Sequence, residues 1–163
     1  MTADLTAWAT RYDIVVLEGC DGAGKTTQAV ALATDHGYTM VHAARTPEGT
    51  DLAERYRTIL ARPGRLVLDR SFVSELVYGP LRHGRSRLNR TQAAKLAAIV
   101  TARNGVFVHL TGTPEQIAAR LTARDGHAPS LMEIGALIAG YSEVFAWLAT
   151  CAPVITVPAA AAA

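Results

Sequence analysis

Gly19-Cys20-Asp21-Gly22-Ala23-Gly24-Lys25-Thr26 decides the fold, because this stretch matches the phosphate-binding loop pattern Gly-x-x-x-x-Gly-Lys-Ser/Thr at every required position. An apolar run, Ile14-Val15-Val16-Leu17, precedes the loop and is typical of a buried parallel strand. A helical pattern follows the loop and extends to about His36. Strand, loop and helix therefore stand in the order that a nucleoside triphosphate site requires, and the alternative is a chance glycine-rich turn.

Each residue type in the loop has a physical role. The glycines let backbone N–H groups turn towards an anion, and the N-terminus of the next helix adds the positive end of its dipole. We expect Lys25 to reach the β- and γ-phosphates of ATP and the Thr26 hydroxyl to bind Mg²⁺. The residues expected to bind ATP are Gly19, Cys20, Asp21, Gly22, Ala23, Gly24, Lys25, Thr26 and Thr27.

Length and composition narrow the function further. The 163 residues fit a single domain spanning 1–163, and a net charge of +2 is too small to indicate a nucleic-acid surface. Cys20 and Cys151 give no disulfide framework, and we find neither a signal peptide nor an apolar run of about 20 residues. We therefore expect a cytoplasmic protein that binds small nucleotides, with no nucleic-acid or membrane partner.

Apolar runs and helical periodicity alternate along the chain. The predicted strands lie at 12–18, 38–43, 65–68, 106–110 and 154–157, and the predicted helices at 25–36, 50–60, 71–82, 90–103, 114–123 and 131–149. Such alternation is typical of an α/β fold in which helices cover both faces of a five-stranded parallel sheet. Residues 1–11 form either a short helix or an arm, and we expect the low-complexity tail at 158–163 to fray.

Polar residues follow the third predicted strand, at the sheet edge where ligands gather in such folds. Asp69 is placed to bind Mg²⁺ through water, and Arg70 is placed to hold an anionic acceptor in line with the γ-phosphate. The alternative is that Asp69 caps a helix and Arg70 is solvated.

Four segments together resemble thymidylate kinases, which are nucleoside monophosphate kinases of the P-loop class. They are GCDGAGKTTQ at 19–28, RTPEGT at 45–50, DRSFVSELVY at 69–78 and HLTGTPEQIAARLTAR at 109–124. The resemblance implies a three-layer P-loop kinase fold with a short lid at about 120–130. It also implies transfer from ATP, with Mg²⁺, to dTMP or a modified pyrimidine deoxynucleoside monophosphate, and a homodimer.

The resemblance also assigns residues to the acceptor. By it, Asp21 faces the acceptor sugar, Arg45 and Arg70 hold the acceptor phosphate, and Ser74 and Tyr78 lie near the nucleoside.

Ala23 is a small loop residue, as in the family members that supply catalytic arginines from the lid. Arg120 and Arg124 are therefore the candidates to neutralise the transferred phosphoryl group. The alternative for each of them is a solvated arginine of the lid or helix.

Two departures from the family bear on the acceptor. Only Ala61-Arg62-Pro63-Gly64 separates the second long helix from the next strand. The helix that usually carries the thymine platform, an aromatic side chain that stacks on the base, is therefore missing. Phe72, Tyr56 or Tyr78 either replaces that platform or belongs to the core. The basic turn at 81–87 either contacts the acceptor, with Arg87 as our candidate, or is a solvated connection.

Two other functions stay open. One is a kinase of a neutral acceptor, a deoxynucleoside or a small metabolite such as an antibiotic, because Asp-Arg-Ser-x-x-Ser at 69–74 also resembles the motif of deoxynucleoside kinases. The other is a nucleotide-gated switch without transfer chemistry. Against the switch, the chain contains neither the Asn-Lys-x-Asp motif that recognises guanine nor an Asp-x-x-Gly switch segment.

Overall fold

The structure, a computed structural model, describes residues 4–43 and 45–158. The strands are β1 (Ile14–Glu18), β2 (Thr39–His42), β3 (Leu66–Asp69), β4 (Gly105–Thr111) and β5 (Val154–Pro158). The helices are α1 (Leu5–Arg11), α2 (Lys25–His36), α3 (Leu52–Leu60), α4 (Phe72–His83), α5 (Arg90–Ala102), α6 (Pro114–Asp125) and α7 (Leu131–Leu148). Of the predicted fraying tail, residues 159–163 lie outside the described part.

The five strands form one all-parallel sheet in the order β2-β3-β1-β4-β5. β1 is central and fully buried, because its side chains are covered on both faces of the sheet. This confirms the predicted α/β class and its five parallel strands. The carboxyl ends of β1, β2 and β3 meet at one edge, where the phosphate-binding loop, His42 and Asp69 are found.

Capping side chains set the helix ends that the sequence pattern left imprecise. α3 begins at Leu52 rather than at residue 50, because the Asp51 carboxylate accepts a hydrogen bond from the Glu54 N–H at 3.0 Å. α6 continues to Asp125, two residues beyond the predicted end, and stops where Gly126 adopts a φ of +80°. Residues 5–11 form a helix, so of the two predictions for the N-terminal segment the helix is correct for that part.

An aromatic cluster decides the role of one proposed thymine platform. Phe72 is fully buried and packs edge to face against Tyr56 and Phe107, with ring centroids 5.8 and 5.9 Å apart. Phe72 is therefore part of the core.

α7 is long and apolar enough to cross a membrane by length and composition alone. One face of this helix packs into the core through Ile134, Tyr141, Val144, Phe145 and Leu148. A core helix of an α/β fold has the same composition, so the apolar character of α7 is weak evidence for a membrane span.

Candidate active site

The phosphate-binding loop adopts a conformation that its glycines permit. Gly19 has a φ of +149°, and any side chain there would collide with the backbone carbonyl of Leu110. Gly24 has a φ of +96° and leads directly into the first turn of α2. The Cys20 and Ala23 side chains are buried, so these two predicted ATP-binding residues offer only backbone groups to a ligand.

Lys25 is buried at the start of α2. Its Nζ donates hydrogen bonds to the carbonyl oxygens of Gly19 at 2.6 Å and Cys20 at 2.8 Å. Burial lowers the pKa of the Lys25 ammonium, and the Glu18 carboxylate opposes this effect. The lysine is thus held at the loop by carbonyl groups, within the segment where phosphate-binding loops place donor phosphates.

The two predicted magnesium ligands lie together. Thr26 Oγ1 donates to Asp69 Oδ2 at 2.7 Å, and His42 Nδ1 lies 3.0 Å from the same oxygen. No group of three or more His, Cys, Asp or Glu side chains that could hold a metal occurs in the described part of the chain. A hydroxyl and a carboxylate nevertheless suit Mg²⁺, which takes most of its ligands from water and substrate phosphates.

His42 was not singled out from the sequence. It ends β2, and the parallel register places it directly beside Asp69 of β3. Only strand pairing brings these residues together, so the local sequence carried no sign of the contact.

Arg70 lies where the loop and the third strand meet. Its guanidinium forms an ion pair with Asp21, and its central carbon lies 5.5 Å from the centre of the Tyr78 ring. The backbone of Arg70 has a φ of +71°, which is uncommon for a residue with a side chain. This conformation turns the chain away from β3 and brings Arg70 beside the phosphate-binding loop.

Glu18 is a second residue of the site that the loop pattern does not include. Its carboxylate is fully buried and accepts hydrogen bonds from the Ser71 N–H and Ser71 Oγ, both at 2.7 Å, and from Ser74 Oγ at 2.8 Å. The Tyr141 hydroxyl donates to it at 3.2 Å. Burial raises the pKa of Glu18, although the serine hydrogen bonds lower it. A glutamate ending an otherwise apolar strand was the available sequence signal.

A cavity of about 340 Å³ runs along the length of α4, and we call it the α4 cavity. All six predicted acceptor-binding residues line it: Asp21, Arg45, Arg70, Ser74, Tyr78 and Arg87. Tyr56, one of the aromatic alternatives, also contributes to the wall. The Tyr78 hydroxyl is buried and, within the described residues, is the one buried side-chain polar atom without a hydrogen-bond partner. Such an atom favours a ligand that supplies the missing bond.

A second cavity of about 480 Å³ lies over the phosphate-binding loop. Its walls include Lys25, Thr26 and Asp69, together with both predicted lid arginines, Arg120 and Arg124. The loop cavity and the α4 cavity share Asp21, His42 and Arg70 as wall residues. Groups bound in the two cavities would therefore meet at the Asp21–Arg70 ion pair.

The two lid arginines differ in their contacts. Arg120 Nη1 donates to the Gly22 carbonyl at 3.2 Å, which ties α6 to the phosphate-binding loop. Arg124 is exposed and pairs with the neighbouring Asp125, with 2.7 Å between Nη2 and Oδ2. Arg120 is thus already at the loop, whereas Arg124 faces the end of α6.

Comparison with known proteins supports the fold. The chain is similar to the YorR protein from Bacillus subtilis, solved in complex with phosphorylated GDP, with a TM-score of 0.80 and 22% identity over 90% of this chain and 85% of that one. It also resembles deoxyadenosine kinase from M. mycoides with bound dCTP, with a TM-score of 0.59 and 14% identity over 90% of both chains.

A gluconokinase from Sinorhizobium meliloti 1021 gives a TM-score of 0.59 and 22% identity, over 93% of this chain and 85% of that one. No family model and no curated protein matches the chain. Similarity at this level of identity establishes the fold, and the resemblance to thymidylate kinases stays a hypothesis about specificity. The chain therefore has the α/β fold of the P-loop kinases, with a five-stranded parallel sheet and a phosphate-binding loop after its central strand.

Proposed function

We propose that this protein transfers the γ-phosphoryl group of ATP, with Mg²⁺, to the 5′-phosphate of a deoxynucleoside monophosphate. The acceptor is dTMP or a modified pyrimidine nucleotide by the resemblance of the sequence. The observation that carries the proposal is the charge of the α4 cavity, which adjoins the phosphate-binding loop.

Arginines outnumber carboxylates in the wall of this cavity. Arg45, Arg70, Arg82 and Arg87 line it, against only two acidic side chains. Both acids are already paired, Asp21 with Arg70 and Glu75 with Arg87. Four arginines less two carboxylates leave a surplus of two positive charges. This surplus suits a phosphate dianion, which guanidinium groups bind through paired hydrogen bonds.

The carboxylates near the cavity also favour a phosphate acceptor. A hydroxyl acceptor is helped by a general base that removes its proton, whereas a phosphate oxygen is already deprotonated at neutral pH. Glu18, the buried carboxylate below the cavity, is occupied by hydrogen bonds from Ser71, Ser74 and Tyr141. Asp21 is held by an arginine. Both carboxylates are thus engaged by protein groups, which favours an acceptor that needs no general base.

The residues at the junction of the two cavities supply the mechanism that we propose. Lys25 binds the donor phosphates, and Arg70 orients the acceptor phosphate next to them. Thr26 and Asp69 hold Mg²⁺, which neutralises charge on the donor phosphates when it is bound. Closure of the segment at about 120–130 brings Arg124 towards the transferred group and excludes water.

A kinase with a neutral acceptor is the second candidate. Deoxyadenosine kinase, which shares the fold, is named for a neutral nucleoside, and gluconokinase for an acceptor that also lacks a phosphate group. The missing helix between α3 and β3 is also consistent with a changed acceptor. In that case Arg45 and the positive surplus would serve no purpose in binding, so substitution of Arg45 separates the two candidates.

The test is ADP release from ATP and Mg²⁺ with a panel of deoxynucleoside monophosphates, the matching nucleosides, or water alone. We expect stimulation by a monophosphate, and a fall in kcat of about a hundredfold or more for Arg70→Ala because charge stabilisation at the transferred group is lost. Arg45→Ala should raise the KM of the acceptor. Arg57→Ala is the matched control, because among the described residues Arg57 pairs only with Glu54 on α3.

Two results would overturn the proposal. Stimulation by nucleosides alone would move the acceptor to the neutral class. A folded Arg70→Ala protein with a nearly normal rate would remove the acceptor site from this cavity.

A further inference from the structure

Arg82 and the turn that follows α4 form one end of the α4 cavity. The chemistry of this end bears on which bases the protein accepts. We propose that Arg82 contacts the nucleobase and selects bases with a carbonyl oxygen at pyrimidine position 4 or purine position 6, namely thymine, uracil and guanine, over cytosine and adenine, which carry an amino group there. This inference rests on the proposed function, because it concerns the acceptor of the same site.

The turn after α4, rather than a helix between α3 and β3, borders the α4 cavity. α3 ends at Leu60 and β3 begins at Leu66, so no helix between them covers the cavity. The chain after α4 folds back instead and packs against Gly79. A Cβ at Gly79 would lie 2.9 Å from the Arg85 carbonyl oxygen and 3.0 Å from Ser86 Cα. Only glycine permits this close approach, so the turn is held against α4 beside the cavity.

Arg87 fixes the turn in place. Its N–H donates to Glu75 Oε1 at 2.8 Å, and its Nη2 lies 3.2 Å from Glu75 Oε2. Its Nη1 donates to the Thr46 carbonyl at 3.1 Å, which joins the turn to the loop between β2 and α3. Arg87, an expected acceptor contact, is thus committed to protein partners and builds the wall.

Arg82, unlike Arg87, is not held by hydrogen bonds or ion pairs to the described part of the protein. Its guanidinium carbon lies 4.5 Å from the centre of the Tyr78 ring, one helical turn earlier on α4. Among residues 4–43 and 45–158 no carboxylate pairs with Arg82, and no carbonyl accepts a hydrogen bond from it. Arg82 lines the α4 cavity and a neighbouring cavity of about 440 Å³ between α4, α6 and α7. Its hydrogen-bond donors are therefore available to a ligand.

Arg70 and Arg82 lie at the two ends of α4. Arg70 precedes α4 beside the phosphate-binding loop, and Arg82 lies about three turns further along, near the end of the helix. Their guanidinium carbons lie 5.5 and 4.5 Å from the centre of the same Tyr78 ring, so they are no more than about 10 Å apart. A nucleotide whose phosphate is bound by Arg70, next to the loop, can therefore present its base to Arg82.

The chemistry of arginine then selects the base. Arginine only donates hydrogen bonds, so it suits O4 of thymine and uracil or O6 of guanine. The amino groups of cytosine and adenine would face another donor. Glu75, a carboxylate of the cavity wall, is already bound to Arg87 rather than free to accept from those amino groups.

The test compares kcat/KM for dTMP, dUMP and dGMP with kcat/KM for dCMP and dAMP. We expect the wild type to prefer at least one of the first group by tenfold or more, and Arg82→Ala to reduce that ratio by about tenfold with an unchanged KM for ATP. Arg85→Ala is the matched control, because Arg85 lies three residues further on, in the turn that follows α4, and lines neither cavity. A merely structural role would lower kcat/KM for all bases equally.

The outcomes separate the two proposals. If the wild type phosphorylates no monophosphate, the proposed function fails. If it phosphorylates monophosphates but prefers dCMP or dAMP, or if Arg82→Ala folds and keeps the wild-type ratio, the inference about Arg82 fails alone.

Discussion

Glu18 and Arg70 show how single residues shape the junction between the two cavities. The φ of +71° at Arg70 costs on the order of 1 kcal/mol and persists only where the surroundings fix it. Asp69 is held in the sheet on one side, and Ser71 is bound by the Glu18 carboxylate on the other. The buried glutamate thus helps to aim the arginine that we assign to the acceptor.

The burial of Glu18 predicts a pH dependence of stability. Burial raises the pKa of the folded carboxyl above its usual value of 4.5, so the folded state binds this proton more tightly than the unfolded chain. Protonation of Glu18 therefore contributes to the free energy of unfolding. This contribution is fully present below pH 4.5 and is lost as the pH rises through the raised pKa. Glu18→Gln removes the titrating group and should not show this loss.

Urea unfolding of the wild type and Glu18→Gln from pH 4.5 to 7 measures this effect. The free energy of unfolding of the wild type, minus that of the variant, should fall with rising pH by at most about 1.4 kcal/mol per pH unit. A difference that stays constant or grows with pH would show that the carboxylate is stabilised as an anion.

Sequence reasoning at this scale succeeded where the chemistry is local. Lys25 and Thr26 were identified because the loop pattern is contiguous, and Asp69 because it ends an apolar strand. The contact between Glu18 and Tyr141 spans 123 residues, and the local sequence around either residue does not predict it. Hydrogen bonds of this kind depend on tertiary packing, so only the structure revealed them.

At the scale of elements, α4 connects both ends of the acceptor. The Ser71 hydroxyl caps its N-terminus, and Gly79 near its C-terminus receives the backbone of the turn at 84–87. The pattern of the sequence predicted the helix within one residue at each end. The same pattern does not decide whether the turn contacts the acceptor or is a solvated connection. The reason is that a chain reversal packed against a glycine has no periodic pattern in the sequence.

Gly79→Ala tests whether this packing positions the turn. The new Cβ would lie within 3.0 Å of backbone atoms of the turn, so the turn must shift. We expect the cost of about 1–3 kcal/mol from overpacking to exceed the gain of about 1 kcal/mol in helix propensity. The KM for the acceptor should rise several-fold while the KM for ATP stays unchanged.

Steady-state kinetics and thermal unfolding of Gly79→Ala supply both readouts. Gly135→Ala on α7 is the control, because a Cβ there meets no atom within 4 Å. An unchanged acceptor KM in Gly79→Ala would separate the turn from acceptor binding.

At the scale of the whole molecule, the two cavities share a wall, and α6 leads from one of them into the segment that we expect to close. Alternating strands and helices predicted the sheet, because each apolar run is local. The contact between the cavities was not predictable in detail, because it depends on the strand order β2-β3-β1-β4-β5. That order places β3 next to β1 and brings Asp69 and Arg70 beside the loop.

A compound that joins adenosine and thymidine through five phosphates should occupy both cavities. At a hundred times its Kd, binding adds about 2.7 kcal/mol to stability, which corresponds to a rise in Tm of roughly 5–10 °C. Arg120→Ala should reduce this rise by weakening the phosphate contacts, and Arg57→Ala should not. If ATP and dTMP separately gave as large a rise as the linked compound, the two cavities would not act together.

The most direct test of the central claim is phosphorus NMR of the purified protein with ATP, Mg²⁺ and a deoxynucleoside monophosphate. The account predicts that the resonance of the monophosphate is replaced by the paired resonances of a deoxynucleoside diphosphate as ADP appears. ADP and inorganic phosphate alone, with the monophosphate intact for every base, would contradict it.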